Sequence, residues 1–234
     1  MVKREIFSTD ELMVQMGEFT SLLSDKQREE LKTKLTLQHS TKNSVFYAEG
    51  DVPHYLYCLI RGKVKIYKEG VGGRTQIIRV VKPVEYFGYR AFFANQNYVT
   101  AAAAFEHSLV VQIPMQLVYE WMQENNQLAL HFIRRLSIDL GVSDQRTVSL
   151  TQKHIRGRLA EALLFLKATY GLEEDNATLS IYLSREDLAN LSNMTTSNAI
   201  RTLSAFAAEG LIAIDGRKIK IMDEDALQHV SKLG

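Results

Sequence analysis

Eleven residues, LIAIDGRKIKI at positions 211–221, constrain the fold of this chain more than any other stretch. Ile212 and Ile214 alternate with polar or small neighbours, and so do Ile219 and Ile221 after the turn signal Asp215-Gly216. That pattern predicts two short strands in a tight hairpin, with Lys218 and Lys220 on the face opposite the isoleucines. The preceding residues, SREDLANLSNMTTSNAIRTLSAFAAEG, predict two short helices. Ser184 can cap the first, with Asp187 at capping-box spacing. Leu188 and Leu191 point inward, and Ala189 is small enough for another helix to cross closely. Asn193 falls where the chain must turn sharply, and Asn tolerates the left-handed conformation better than other side-chain-bearing residues. Thr195 or Thr196 can cap the second helix, whose apolar line is Ala199, Leu203 and Phe206, and Gly210 ends it. Two crossed helices followed directly by a hairpin make a winged helix-turn-helix.

In such a unit the first two turns of the second helix meet base edges. Here they carry Thr195, Thr196, Ser197, Asn198 and Arg201. Arg201 can fork onto a guanine and Asn198 can pair with an adenine. Arg185, at the start of the first helix, and Arg217 and Lys218 on the hairpin are placed for phosphates. From residue 151 onward the chain has 10 Lys and Arg against 11 Asp and Glu, so the module is not basic overall. The acidic residues gather in EED and DED, expected to lie away from the reading face, so this neutrality is compatible with DNA binding. The EEDN stretch itself reads as a solvated connection.

A different periodicity governs the first half. From about residue 43 to 113, stretches such as FYAEGD, YLYCLIRG, KVKIYKEG, TQIIRVV and LVVQIP are separated by glycines. Lys63 and Lys65 alternate with Val64 and Ile66, the period of a half-buried strand. Short strands at this spacing predict a barrel or sandwich rather than a parallel sheet. Residues 10–37 before them read as helical, with Ser24-Asp25 as a cap. From about 115 to 154 the pattern is one long helix. Leu136, Leu140, Ser143, Thr147, Leu150 and His154 follow at steps of 4, 3, 4, 3 and 4, a heptad seam that predicts a homodimer, the alternative being a helix packed on its own β-domain. IRGRLAEALLFLKATYG then opens another helix, with Leu159, Leu163 and Leu166 on one face and Gly171 after its end. The domains expected are 1–115, 116–154 and 155–234.

Composition bears on what the chain can sense. Cys58 is the only cysteine, which excludes an internal disulfide or an iron–sulfur cluster built from one chain's thiolates. It reads as a small buried hydrophobe in YLYCLI. No apolar run has membrane-spanning length, and MVKREIFSTD lacks a signal-peptide core, so a cytoplasmic protein is expected. Haem would need an axial ligand, and His54, His107 and His131 are isolated.

Taken together, GRLAEALLFL, the 184–221 stretch, YAEGDVPHYLYCLIRGKVKIY and EYFGY resemble the Crp–Fnr family of bacterial transcription regulators. The resemblance covers nearly the whole chain. It implies an α+β architecture: an N-terminal cyclic-nucleotide-binding-like β-roll (a jelly-roll-like double-stranded β-helix), a long dimerisation helix and a C-terminal winged helix-turn-helix. It implies a homodimer on palindromic DNA, with RNA polymerase as a further partner. Arg201 matches the family's base-contacting arginine and Arg185 a phosphate contact. Ser197 falls where a glutamate commonly reads bases, and a serine cannot act as a carboxylate acceptor for cytosine. In the effector region, Phe87, Gly88, Tyr89 and Arg90, then Val99, Thr100 and Ala101, stand where other members cradle a ribose and a phosphate. Tyr89 replaces the acid and Val99 the phosphate-binding arginine, which removes the strongest contacts a cyclic nucleotide could make. Ser143 and Asp144 lie where the long helix would meet a ligand. Cyclic AMP and cyclic GMP are thus not the expected effectors. A small molecule of another class, for which Arg90 could hold an anion, and control by abundance alone both stay open.

Two other readings stand beside a DNA-binding regulator. A cupin-like barrel enzyme would need convergent metal ligands, and the chain has no His-x-His, HExxH, GxSxG or phosphate-binding glycine loop. A ligand-binding module acting on a protein partner would leave the helix-turn-helix a relic.

Overall fold

The computed structural model describes residues 7–233. Positions 1–6, which begin the segment read above for export, lie outside the described residues. Contacts divide the chain into two compact units, residues up to 68 with 79–139, and residues 69–78 with 140–234.

The first unit opens with three short helices, α1 (Thr9–Gln15), α2 (Glu18–Ser21) and α3 (Asp25–Lys34). Ser8 and Ser24 each cap a helix through a complete capping box, with Glu11 and Gln27 as the returning side chains. The helical reading to residue 37 overran. Leu35 is already extended, and strand β1 (Thr36–Ser40) follows. The remaining strands of the roll are β2 (Val45–Tyr47), β3 (Tyr55–Arg61), β4 (Val64–Glu69), β5 (Thr75–Val81), β6 (Tyr86–Phe87), β7 (Ala101–Ala104) and β8 (Ser108–Pro114), with helix α4 (Tyr89–Phe93) between β6 and β7. They form two four-stranded sheets, ordered β1-β8-β3-β6 and β2-β7-β4-β5. β3 is buried at five of its seven positions, so it shows no alternation.

The long helix is broken. Helix α5 (Met115–Glu124) and helix α6 (Asn126–Gln152) are separated by Asn125, at φ −128° and ψ 92°. Its side-chain Oδ1 accepts from the backbone N–H of Gln127 and Leu128, at 3.1 and 3.2 Å. Its Nδ2 donates to the Leu22 carbonyl at 2.7 Å. An Asn that caps a new helix while bonding elsewhere ends the old one, a signal no apolar periodicity carries. The first turns of α6 stay in the roll's unit, where Leu128 and Phe132 are buried with Phe19, Tyr89 and Trp121.

In the second unit, α6 is followed by α7 (Ile155–Tyr170), α8 (Arg185–Leu191), α9 (Thr196–Ala208), strands β9 (Ile212–Asp215) and β10 (Lys218–Ile221), and α10 (Glu224–Leu233). Leu159, Leu163 and Leu166 of α7 are buried, as their spacing requires. Arg146 of α6 donates to the carbonyls of Ile77 and Ile78, both at 2.5 Å, and to that of Leu191 at 2.9 Å. No helix of the described residues is long and apolar enough to cross a membrane.

Candidate nucleic-acid interface

The reading helix is built from its caps inward. The Ser184 hydroxyl accepts from the Asp187 N–H at 3.0 Å and donates to its carboxylate at 2.7 Å. The carboxylate thus returns to the hydroxyl rather than to the backbone, a variant of the capping box. Leu188, Ala189 and Leu191 are buried. Asn193 turns the chain at φ 49°, and the Met194 N–H reaches back to the Ala189 carbonyl at 3.0 Å. Thr195 is the cap of α9, accepting from the Asn198 N–H at 3.2 Å. Ala199, Thr202, Leu203 and Phe206 bury the inner face.

The outer face follows from the same helical period. Thr196, Ser197, Ile200, Arg201 and Ser204 are exposed along one side. Arg201 donates from Nη2 to the Asn198 Oδ1 at 2.5 Å, so Asn198 holds the arginine and its carbonyl is engaged. The exposed face contains two residues absent from the sequence reading, Ile200 and Ser204. The spacing 196, 197, 200, 201, 204 carries them, whereas counting only the first two turns and only polar groups omits them. At the far end, Arg156 makes a bidentate pair with Glu209 at 2.8 and 2.6 Å, fixing the end of α9.

β9 and β10 pair antiparallel, with Ile219 opposite Ile214 and Ile221 opposite Ile212, as the alternation predicts. Asp215 pairs with Lys218, so the turn is Gly216-Arg217, one residue beyond the expected dipeptide. Gly216 takes φ 55° there. Arg217 is exposed at the tip. Arg185 donates from Nη2 to the Gly216 carbonyl at 2.7 Å, tying the start of α8 to the turn. Its Nη1 is buried with no partner.

The acidic loop lies elsewhere than expected. Lys218 Nζ stands 3.7 Å from Glu173 and 5.3 Å from the centroid of the Tyr182 ring, and Lys220 Nζ stands 3.4 Å from Asp175. The EED segment therefore faces the wing lysines. Asp175 is fixed there because it accepts from the N–H groups of Thr178 and Ala177 and from the Thr178 hydroxyl. Those bonds, with the Thr178 N–H foremost, hold its carboxyl well below the usual range. A loop of this kind is an Asx turn.

The effector-region residues are dispersed. Gly88 takes φ 88°, and a Cβ there would lie 2.6 Å from Tyr57 and 3.0 Å from the Tyr55 carbonyl, so no side chain fits. Tyr89 turns away from the space between the sheets. It packs on Phe93 and Phe132, and its hydroxyl donates to Asp139 Oδ2 at 3.1 Å. Asp139 also takes Arg79 at 2.7 Å, and Arg135 pairs with Glu85 at 2.9 Å. Arg90 is exposed. Val99 is exposed too, and its carbonyl accepts from Lys68, which is paired with Glu49. Thr100 is half-buried, while Ser143 and Asp144 are exposed on α6. The space between the sheets holds Phe46, Tyr47, Tyr57, Phe87, Tyr98, Ala102 and Ala104. Tyr98 donates to the Gly88 carbonyl at 2.9 Å and Tyr57 to that of Phe46 at 3.2 Å. Burial pushes the Tyr47 hydroxyl up to about 12, and raises those of Tyr57 and Tyr98 as well. Tyr86, Tyr89, Phe92 and Phe93 belong to one hydrophobic core of the roll, and Phe87 and Tyr98 to the other.

Along α6, Leu140, Ser143 and Thr147 are exposed and Leu150 is half-buried. Leu136 packs against the first unit's core. Leu130, Ile133, Leu140 and Val148 are exposed on this helix.

Comparison with known proteins decides the family. A cyclic nucleotide-binding domain model matches residues 37–125, and a Crp-like helix-turn-helix domain model matches residues 157–230. The chain belongs to the Crp–Fnr family of transcription regulators. It is 25% identical, over 182 residues, to a CRP-like cAMP-activated global transcriptional regulator of Mycobacterium tuberculosis, covering 77% of this chain and 81% of that one. It is 24% identical, over 183 residues, to the transcriptional activator protein anr of Pseudomonas aeruginosa, covering 78% and 75%. In fold it is similar to FixK2 of Bradyrhizobium japonicum, with a TM-score of 0.76 at 21% identity over 84% of this chain and 96% of that one. Of the readings drawn from sequence, the regulator stands and the enzyme does not: the matched domains and relatives are those of transcription regulators.

Proposed function

We propose that this Crp–Fnr regulator works as a cytoplasmic homodimer on a palindromic site, and that its β-roll does not take cyclic AMP or cyclic GMP. The observation that carries the DNA reading is the exposed face Thr196, Ser197, Ile200, Arg201 and Ser204, with Arg201 held by Asn198. A guanidinium fixed in one orientation on a helix face matches the paired acceptors of a guanine edge. Pairing through α6 would cover Leu130, Ile133, Leu140 and Val148, which are exposed in one chain. Control of transcription from such a site engages RNA polymerase as the further partner. The effector reading rests on the aromatic filling between the sheets and on Val99 in place of a charge for a phosphate.

Replacing Arg201 with Ala tests the DNA reading. Specific binding to genomic fragments falls by about 1–3 kcal/mol while the circular dichroism spectrum is unchanged. Equal binding by both proteins contradicts it.

A further inference from the structure

Ile200 is 47% exposed in the middle of the reading face, an apolar side chain among hydroxyls and one arginine. Its helical neighbours on that face are Thr196 at i−4, Ser197 at i−3 and Ser204 at i+4, all shorter than an isoleucine. The branched side chain therefore stands above the surface around it. Arg201 is next in sequence, and its guanidinium is drawn back toward Asn198, one turn N-terminal, rather than over Ile200.

We propose that Ile200 reads a thymine by its C5 methyl group, beside the guanine taken by Arg201. This assignment rests on the DNA reading above. The thymine methyl is the one apolar feature that the four base pairs present in the major groove, and apolar side chains are what recognise it. Ser197 does not offer a carboxylate to a cytosine, so discrimination in this half-site passes from an acidic acceptor to an apolar contact. The exposed isoleucine, which water solvates poorly in the free protein, is covered only when the helix enters the groove.

Deoxyuridine is the probe, because it differs from thymidine only in lacking that methyl. Full-length protein is used to select a site from genomic DNA, and each thymine of the selected duplex is then replaced in turn by deoxyuridine. The expected result is one thymine per half-site, next to the guanine on which Arg201→Ala loses discrimination, where replacement weakens binding about fourfold, the effect of one buried methyl. In Ile200→Ala, which keeps a good helix former at an exposed position, the same replacement has no effect. The assignment is overturned if wild-type protein tolerates deoxyuridine at every thymine, or if Ile200→Ala retains the loss. A wild-type protein that selects no site at all overturns the DNA reading itself, and this assignment with it.

Discussion

Tyr47 and Tyr98 stack face to face between the two sheets of the roll, their ring centroids 3.7 Å apart and their planes 12° from parallel. Tyr57 stacks on Phe87 beside them, with centroids 4.9 Å apart. The four rings occupy the interior with their own contacts, and the Tyr98 hydroxyl is committed to the Gly88 carbonyl. A purine and ribose would have to displace this packing, and Val99, proposed above to stand in place of a phosphate-binding charge, offers a cyclic phosphate none. Millimolar cyclic AMP or cyclic GMP is therefore expected to leave the thermal midpoint unchanged. Stabilisation by several degrees would contradict this, since a ligand that binds the folded state raises its stability by mass action.

The acidic loop is expected to lower DNA affinity without changing its specificity. Glu173 and Asp175 face Lys218 and Lys220, and Lys218 is the expected phosphate contact on the wing. Replacing Glu173 with Gln frees one wing lysine and leaves the Asp175 turn intact. Affinity then rises by a similar factor for all sequences, and the salt dependence steepens by about one counterion, as one added phosphate contact predicts. An unchanged slope would mean that Lys218 points away from DNA in the complex.

Arg185 is expected to act through the wing. Its bond to the Gly216 carbonyl holds the turn on which Arg217 sits. In Arg185→Ala, amide exchange across Lys218–Ile221 should quicken relative to α8, and stability should fall by about 1 kcal/mol. Exchange at the wild-type rate would show that the hairpin holds itself, leaving Arg185 free for a phosphate.

Cys58 is expected to be inert. Burial pushes its thiol from an ordinary value near 9 up to about 12. The folded protein thus keeps the thiol neutral where the unfolded chain ionises. The stability this contributes is complete below about pH 9 and is lost as pH rises toward 12. Alkylation of native protein at pH 8, followed by mass spectrometry, should leave Cys58 unmodified, whereas unfolded protein reacts. Rapid native labelling would contradict the burial argument.

Local chemistry was legible in the sequence, and long-range pairing was not. Alternating isoleucines fixed the wing's register, and Asn193 and Gly210 marked the turn and the stop through their tolerance of positive φ. The break at Asn125 was hidden because its cap is made by one side chain inside an apolar rhythm. Leu136 was read as part of a seam, yet the same periodicity serves a helix packed on its own core, and here it packs there. Tyr89 occupies the aligned position but points to Asp139, fifty residues away in sequence. The acidic loop's pairing with the wing crosses more than forty residues, which no local pattern records. Ile200 is available from helical spacing alone, but the apolar line drawn along this helix, Ala199, Leu203 and Phe206, covers only its buried side.

The most direct test of the whole account is selection of genomic fragments by purified, tagged protein with no ligand added, at salt near physiological. The account predicts a palindrome whose half-sites lie about one helical turn apart, as two reading helices of a dimer require. No enrichment of any sequence, either without ligand or with a small-molecule extract of the source cells, would contradict it.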